Sequence, residues 1–110
     1  MNQPFNLKEY ADKINSLHFN ELISNINDHC LKIAINEDSI FEWHYHTTTD
    51  ELFIILEGVL TIEFKDENSI TLKPLDCYHI PSGKIHRTIA KGRTVNLCFE
   101  ATKDDTIFVT

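Results

Sequence analysis

Six histidines fall in a chain of 110 residues, and where they fall matters more than how many there are. His44 and His46 stand two apart. In a strand, residues i and i+2 project from one face with Cα atoms about 6.6 Å apart, so two imidazoles can converge on an ion between them. Glu51 follows the polar turn Thr47-Thr48-Thr49-Asp50, which would reverse the chain and open the next strand with a carboxylate beside the pair. A fourth ligand must come from elsewhere. His86 is the natural candidate, because Pro81-x-Gly83-x-x-His86 is a rigid turn that launches another strand with a histidine at its beginning. Taken singly, each of these residues is more often a half-buried polar side chain or a solvated turn residue than a ligand. The joint pattern runs His44-x-His46, four residues, Glu51, six residues, Gly58, and later Pro81-x-Gly83-x-x-His86. Independent residue frequencies would produce it in roughly fewer than one in a million chains of this length.

These segments resemble the two sequence motifs of the cupin superfamily. His44, His46 and Glu51 take the ligand positions of the first motif and His86 that of the second. Trp43-His44-Tyr45-His46, Asp50-Glu51-Leu52-Phe53 and Leu56-Glu57-Gly58-Val59-Leu60-Thr61-Ile62 are similar to the small one-domain bacterial cupins loosely called mannose-6-phosphate-isomerase-like. The usual leading Gly of the second motif is Leu75 here, and the Asn often found four residues past its His is Ala90. The resemblance implies an all-β, jelly-roll-like barrel (a double-stranded β-helix) and one divalent transition metal ion. Three imidazoles and a carboxylate leave one or two positions of an octahedral ion open to a substrate oxygen, water or dioxygen. Such mixed ligands suit Fe, Mn, Ni, Co, Zn or Cu, and affinity order does not select among them. Related cupins are isomerases, epimerases, dioxygenases and decarboxylases, and fold alone does not choose. The leading expectation is a metal-dependent enzyme acting on a small oxygen-bearing molecule. The alternatives are a small-molecule or sugar-sensing module with a metal-anchored ligand, and a structural metal site without turnover.

Alternation suggests further residues for the site. Glu42 shares a strand face with His44 and His46 and is the candidate catalytic acid or base, although a charge on a frayed strand end reads the same way. Phe53 and Ile55 share a face with Glu51, and Thr88 shares one with His86, so these three are pocket candidates. His79, Arg87 and Tyr78 read as ordinary surface or packing residues. Trp43 and Tyr45 face away from the ligands and are expected outside the barrel, under an N-terminal helix or in a subunit contact. Such an aromatic row, with sheet edges needing cover, suggests a homodimer.

The elements that must position these residues also show in the pattern. Asn6 can cap a short helix with Glu9 reaching back to it, which puts Leu7, Tyr10, Ala11 and Ile14 on one face. After Asn15, short apolar segments alternate with the polar breaks Asn27-Asp28, Glu37-Asp38, Thr49-Asp50, Asp66-Glu67-Asn68 and Lys91-Gly92. Leu60-Thr61-Ile62-Glu63-Phe64 alternates as a strand with one face in a core, and Glu57-Gly58 suits a tight hairpin before it. Further strands are expected over Ser69 to Lys73, Cys77 to Ile80, Ile85 to Ala90 and Val95 to Phe99, with Pro81-Ser82-Gly83 as a turn. The reading is one cupin domain over 1–110, with an N-terminal extension over 1–15 and the barrel over 16–110.

Composition narrows the partners to a small-molecule substrate or ligand. With 42% hydrophobic residues, the chain can bury a core without staples. A formal net charge of −7 and ten scattered Lys and Arg argue against nucleic acid and anionic membranes. The polar start and the absence of a long apolar run argue for a cytoplasmic protein. Cys30, Cys77 and Cys98, an odd number in separate apolar segments, read as reduced core thiols.

Overall fold

The computed structural model describes residues 3–109; Met1, Asn2 and Thr110, the ends of the expected domain, lie outside the described residues. The helix forms where expected. Asn6 caps α1 (Leu7–Asp12), its Oδ1 accepting from the Glu9 backbone N–H at 2.8 Å. Seven antiparallel strands follow: β1 (His18–Ile26), β2 (His29–His46), β3 (Glu51–Phe64), β4 (Ile70–Leu72), β5 (Cys77–Ile80), β6 (His86–Ala101) and β7 (Thr106–Phe108). Their order is β1-β2-β6-β3-β4, with β5 on β3 and β7 on β2.

Strand alternation sorts the side chains of the three long strands onto two faces. Ile33 and Ile35 of β2, Ile54 and Leu56 of β3, and Val95 and Leu97 of β6 turn to the outer face, where Leu7, Tyr10, Ala11 and Ile14 cover them. Arg93 fastens this cover. Its guanidinium donates to the Ala11 carbonyl at 2.7 Å, the Ile14 carbonyl at 3.2 Å and Glu57 Oε2 at 3.0 Å, which satisfies carbonyls at the end of the helix. The residues between turn inward. Phe53, Ile55, Leu60, Ile62, Phe64, Leu72 and Ile80 form the barrel core.

Three breaks in the sequence pattern belong to strands that bend. The Glu57-Gly58 hairpin is not formed: β3 runs 14 residues through both. Likewise Lys91-Gly92 lies within β6 and Glu37-Asp38 within β2, so the two strands expected over 85–90 and 95–99 are one. Register joins the three breaks in one row, since Glu37 pairs with Arg93 and Glu57 with Val95, and the register shifts on either side. Asp38, Gly58 and Gly92 have φ of 47°, 78° and 66°, and the Gly92 N–H donates to Asp38 Oδ1 at 2.7 Å. Extra residues at positive φ bend all three strands together, which closes the sheet without ending the ladders. Polar residues with glycine signal positive φ, and a bulge needs that as much as a hairpin does.

Other expectations also change. The expectation of core thiols holds for Cys30 and Cys98, whereas Cys77 is exposed at the start of β5. Trp43 does not lie under α1; the Lys65 ammonium and the Arg87 guanidinium cover its ring at 4.2 and 4.8 Å. Strand β7 had no expectation, being three residues long. Among the described residues, no helix is long and apolar enough to cross a membrane.

Two turn positions make opposite predictions. A Cβ on Gly58 would stand 2.1 Å from the Arg93 carbonyl oxygen, on a backbone with φ +78°. Lys73-Pro74-Leu75-Asp76 closes through the Asp76 N–H to the Lys73 carbonyl at 2.9 Å, with Leu75 at φ 72° where such a turn favours glycine. Gly58→Ala should lower stability by about 2 to 3 kcal/mol, and Leu75→Gly should raise it by about 0.5 to 1 kcal/mol, in urea unfolding. A destabilised Leu75→Gly would contradict this account of the turn.

Candidate metal centre

The ends of three strands build the site. His44 and His46 close β2, Glu51 opens β3 and His86 opens β6, with His44 opposite His86 in the ladder. The turn before β6 is tied to this end of the barrel: the Gly83 N–H donates to the His46 carbonyl at 2.7 Å, and Ser82 N–H to Asp50 Oδ1 at 2.9 Å. All four side chains are buried. One ligand atom from each lies within 4.8 Å of the others.

Hydrogen bonds fix which nitrogen each ring presents. His44 Nδ1 lies 2.7 Å from the Glu42 carbonyl and His86 Nδ1 lies 2.8 Å from the Lys84 carbonyl. A carbonyl only accepts, so both rings carry their proton on Nδ1 and turn the Nε2 lone pair inward. His46 Nδ1 faces Asp105 Oδ1 at 3.3 Å, a contact of the same polarity. The inward atoms have no hydrogen-bond partner: His46 Nε2, Glu51 Oε1 and His86 Nε2 are buried and unsatisfied. Glu51 Oε1 stands 2.7 Å from His46 Nε2 and 3.5 Å from His86 Nε2. Buried lone pairs crowded this way need a shared cation, and nitrogen and carboxylate donors are the set that divalent transition metals accept. The residues therefore fit the ion that the sequence pattern implies.

Electrostatics agree. Burial would push the Glu51 carboxyl up, but the His46 and His86 rings beside it outweigh burial and hold it well below the usual carboxylate range. The Glu51 carboxylate raises His46 above its ordinary value, whereas burial lowers His44. Asp105 and Cys98 support the ligands, and sequence reasoning missed both. Asp105 accepts from the Thr48 and Thr49 N–H groups at 2.8 and 3.0 Å and from the hydroxyls of Thr47, Thr48 and Thr49 at 3.2, 3.1 and 2.7 Å. The Thr49 hydroxyl foremost keeps it ionised, well below the usual range. The Cys98 thiol donates to Glu51 Oε2 at 3.4 Å, and burial pushes that thiol up, so it stays a donor. Three threonines in a row were the one sign that an acceptor was needed. Lys103-Asp104-Asp105 otherwise looks like any solvated turn.

The remaining candidates divide. Thr88 and Phe53 line a cavity of about 820 Å³ together with His44, His46 and Glu51. Ile55 shares the Phe53 face but is fully buried in the core and is not part of the cavity wall. Glu42 does not share the face of the histidines. The pairing of β2 with β6 shifts between Phe41 and His44, so Phe41 takes the inward position, its ring 4.7 Å from that of His44, and the Glu42 side chain is exposed.

The pKa directions set a proton balance for metal binding. A raised His46 is charged in the metal-free protein at pH 6, and a metal ligand must be neutral, so binding releases that proton. The His46–Glu51 pair stabilises the metal-free fold fully below the unfolded imidazole value and loses that effect as pH rises through the folded His46 value. It also fades in acid, as pH falls through the depressed Glu51 value. Calorimetric titration with zinc at pH 6, in buffers of different ionisation enthalpy, should show net proton release that declines as the pH rises through the His46 value. No release at pH 6 would contradict this electrostatic picture.

Known proteins place this geometry in a family. The model of the Cupin domain (Cupin_2) matches residues 32–100, which hold all four candidate ligands. The uncharacterized protein YdbB of Bacillus subtilis (strain 168) is 42% identical over 109 residues, spanning 99% of this chain and 96% of its own. The crystal structure of a cupin-2 domain containing protein from Shewanella frigidimarina superposes with a TM-score of 0.80 at 34% identity, covering 88% of this chain and 93% of that one. A cupin superfamily protein from Desulfitobacterium hafniense DCB-2 matches with a TM-score of 0.77 at 22% identity, over 94% of both chains, a likeness of fold. With its barrel, its motifs and relatives along nearly its whole length, the chain belongs to the cupin family.

Proposed function

We propose that this cupin binds one divalent transition metal ion through His44, His46, Glu51 and His86 and acts as an enzyme on a small oxygen-bearing molecule, of isomerase, epimerase or dioxygenase type. One observation carries the reading: the ligand cluster borders a cavity of about 820 Å³, large enough for a small metabolite. A purely structural metal needs no such space, and its coordination is closed by protein. The ion, when bound, supplies Lewis-acid polarisation of a substrate oxygen. The chain does the rest. Asp105 and the Glu42 and Lys84 carbonyls hold the imidazoles, Cys98 holds Glu51, and Phe53 and Leu60 keep the inner wall apolar. The Glu42 carboxylate has no part in this reading, because its exposed side chain is not among those lining the cavity.

The same proposal takes the protein as a cytosolic homodimer. Free Cys30, Cys77 and Cys98 support a reducing compartment, and the exposed Leu22 and Ile26 on the edge strand β1 offer apolar surface to a second copy.

The test is elemental analysis of freshly isolated protein followed by turnover assays on small thiols, diketones, phenols and sugar acids. Metal-loaded protein should turn over at least one of them, and His46→Ala should lose about 100-fold or more of that rate. Ligand-induced stabilisation without turnover would overturn the enzyme reading in favour of a sensing module. A bound metal whose removal unfolds the chain, with no ligand bound by the loaded protein, would overturn it in favour of a structural site.

A further inference from the structure

Asn96 lies in the middle of β6, between Ala34 of β2 and Ile55 of β3. It is only 4% exposed, and it lines the cavity. Its neighbour Thr94, fully buried, satisfies its hydroxyl on the Asn36 carbonyl at 3.2 Å. The Asn96 amide, in contrast, makes no side-chain hydrogen bond within the described residues and faces the cavity. The amide opens on the cavity without a partner of its own in the wall, so it is available to a molecule held there. The small Ala34 side chain beside it, also in the cavity wall, leaves the amide uncovered.

Position and charge say what that partner is. Cys98 follows two residues along the same face, about 6.6 Å away, and its thiol touches Glu51 Oε2. A small molecule held at the metal centre therefore extends naturally to the amide. The charged side chains of the cavity are Lys32 and Lys103 against Glu51, Glu100 and Asp104, a net charge of one negative with the histidines neutral. A divalent ion reverses this to one positive, which suits a monoanion. Phe53, Leu60 and Ala90 add apolar wall beside the hydroxyls of Ser39 and Thr88. We propose that Asn96 is a specificity-determining residue, hydrogen-bonding a hydroxyl or carbonyl oxygen of a small hydroxy- or oxo-monocarboxylate whose charged end lies at the metal centre. This inference rests on the proposed metal-dependent site.

The test compares butanoate with 2-, 3- and 4-hydroxybutanoate, measured by titration calorimetry on zinc-loaded full-length protein. At least one hydroxy acid should bind the wild type about tenfold tighter than butanoate, and Asn96→Leu should bring that ratio close to one. Asn96→Leu should also leave the melting temperature of the ligand-free protein unchanged or raised, because the amide it removes makes no hydrogen bond within the chain; a purely structural amide would lower it. Should Asn96→Leu fail to fold, Asn96→Asp provides the second readout, its added negative charge weakening butanoate and hydroxybutanoate alike by about tenfold or more. Absence of any preference in the wild type, or a preference that survives Asn96→Leu, would overturn the subsite alone. Failure of the wild type to bind zinc would overturn the metal-site reading beneath it.

Discussion

A carboxylate is buried against imidazole nitrogens that have nowhere else to turn, and much of the barrel's construction at this end serves that arrangement. Glu51 Oε1, His46 Nε2 and His86 Nε2 have no partner of their own. In the metal-free chain a proton on His46, shared with Glu51, relieves part of this crowding. An ion of charge two relieves every lone pair at once. The supports work to the same end, since two backbone carbonyls and Asp105 hold the outer nitrogens and the Cys98 thiol holds the second Glu51 oxygen.

Holding four groups this close requires strand ends that arrive from different parts of the chain. Long bent strands do this with little sequence. Because β2, β3 and β6 bend together along the row of Asp38, Gly58 and Gly92, each packs its outward residues beneath the N-terminal helix and its inward ones around the cavity and core. The cavity wall and the helix cover are thus opposite faces of the same ladders.

The candidate ligands were legible in the sequence because strand geometry gives an i, i+2 pair one meaning, and because turn residues mark where Glu51 and His86 begin their strands. The helix with its Asn6 cap and its face of Leu7, Tyr10, Ala11 and Ile14 was legible from its own period. Legibility ended where the period of two was interrupted. The bulge after Phe41 exchanged that residue for Glu42 on the inner face, and the Gly58 bulge looked like a hairpin because both need positive φ. Asp105 and Asn96 were invisible for another reason. Their roles depend on the company of Thr47 to Thr49, Ala34 and Ile55, which only the folded ladder assembles.

The central claim is that His44, His46, Glu51 and His86 jointly hold one metal ion. Anomalous diffraction from crystals grown with a divalent transition metal tests it most directly. The account predicts a single strong peak within about 2.0 to 2.3 Å of the Nε2 atoms of the three histidines and of Glu51 Oε1, with further coordination positions facing the cavity. A peak elsewhere, or an empty centre with Glu51 hydrogen-bonded to a protonated His46, would contradict it.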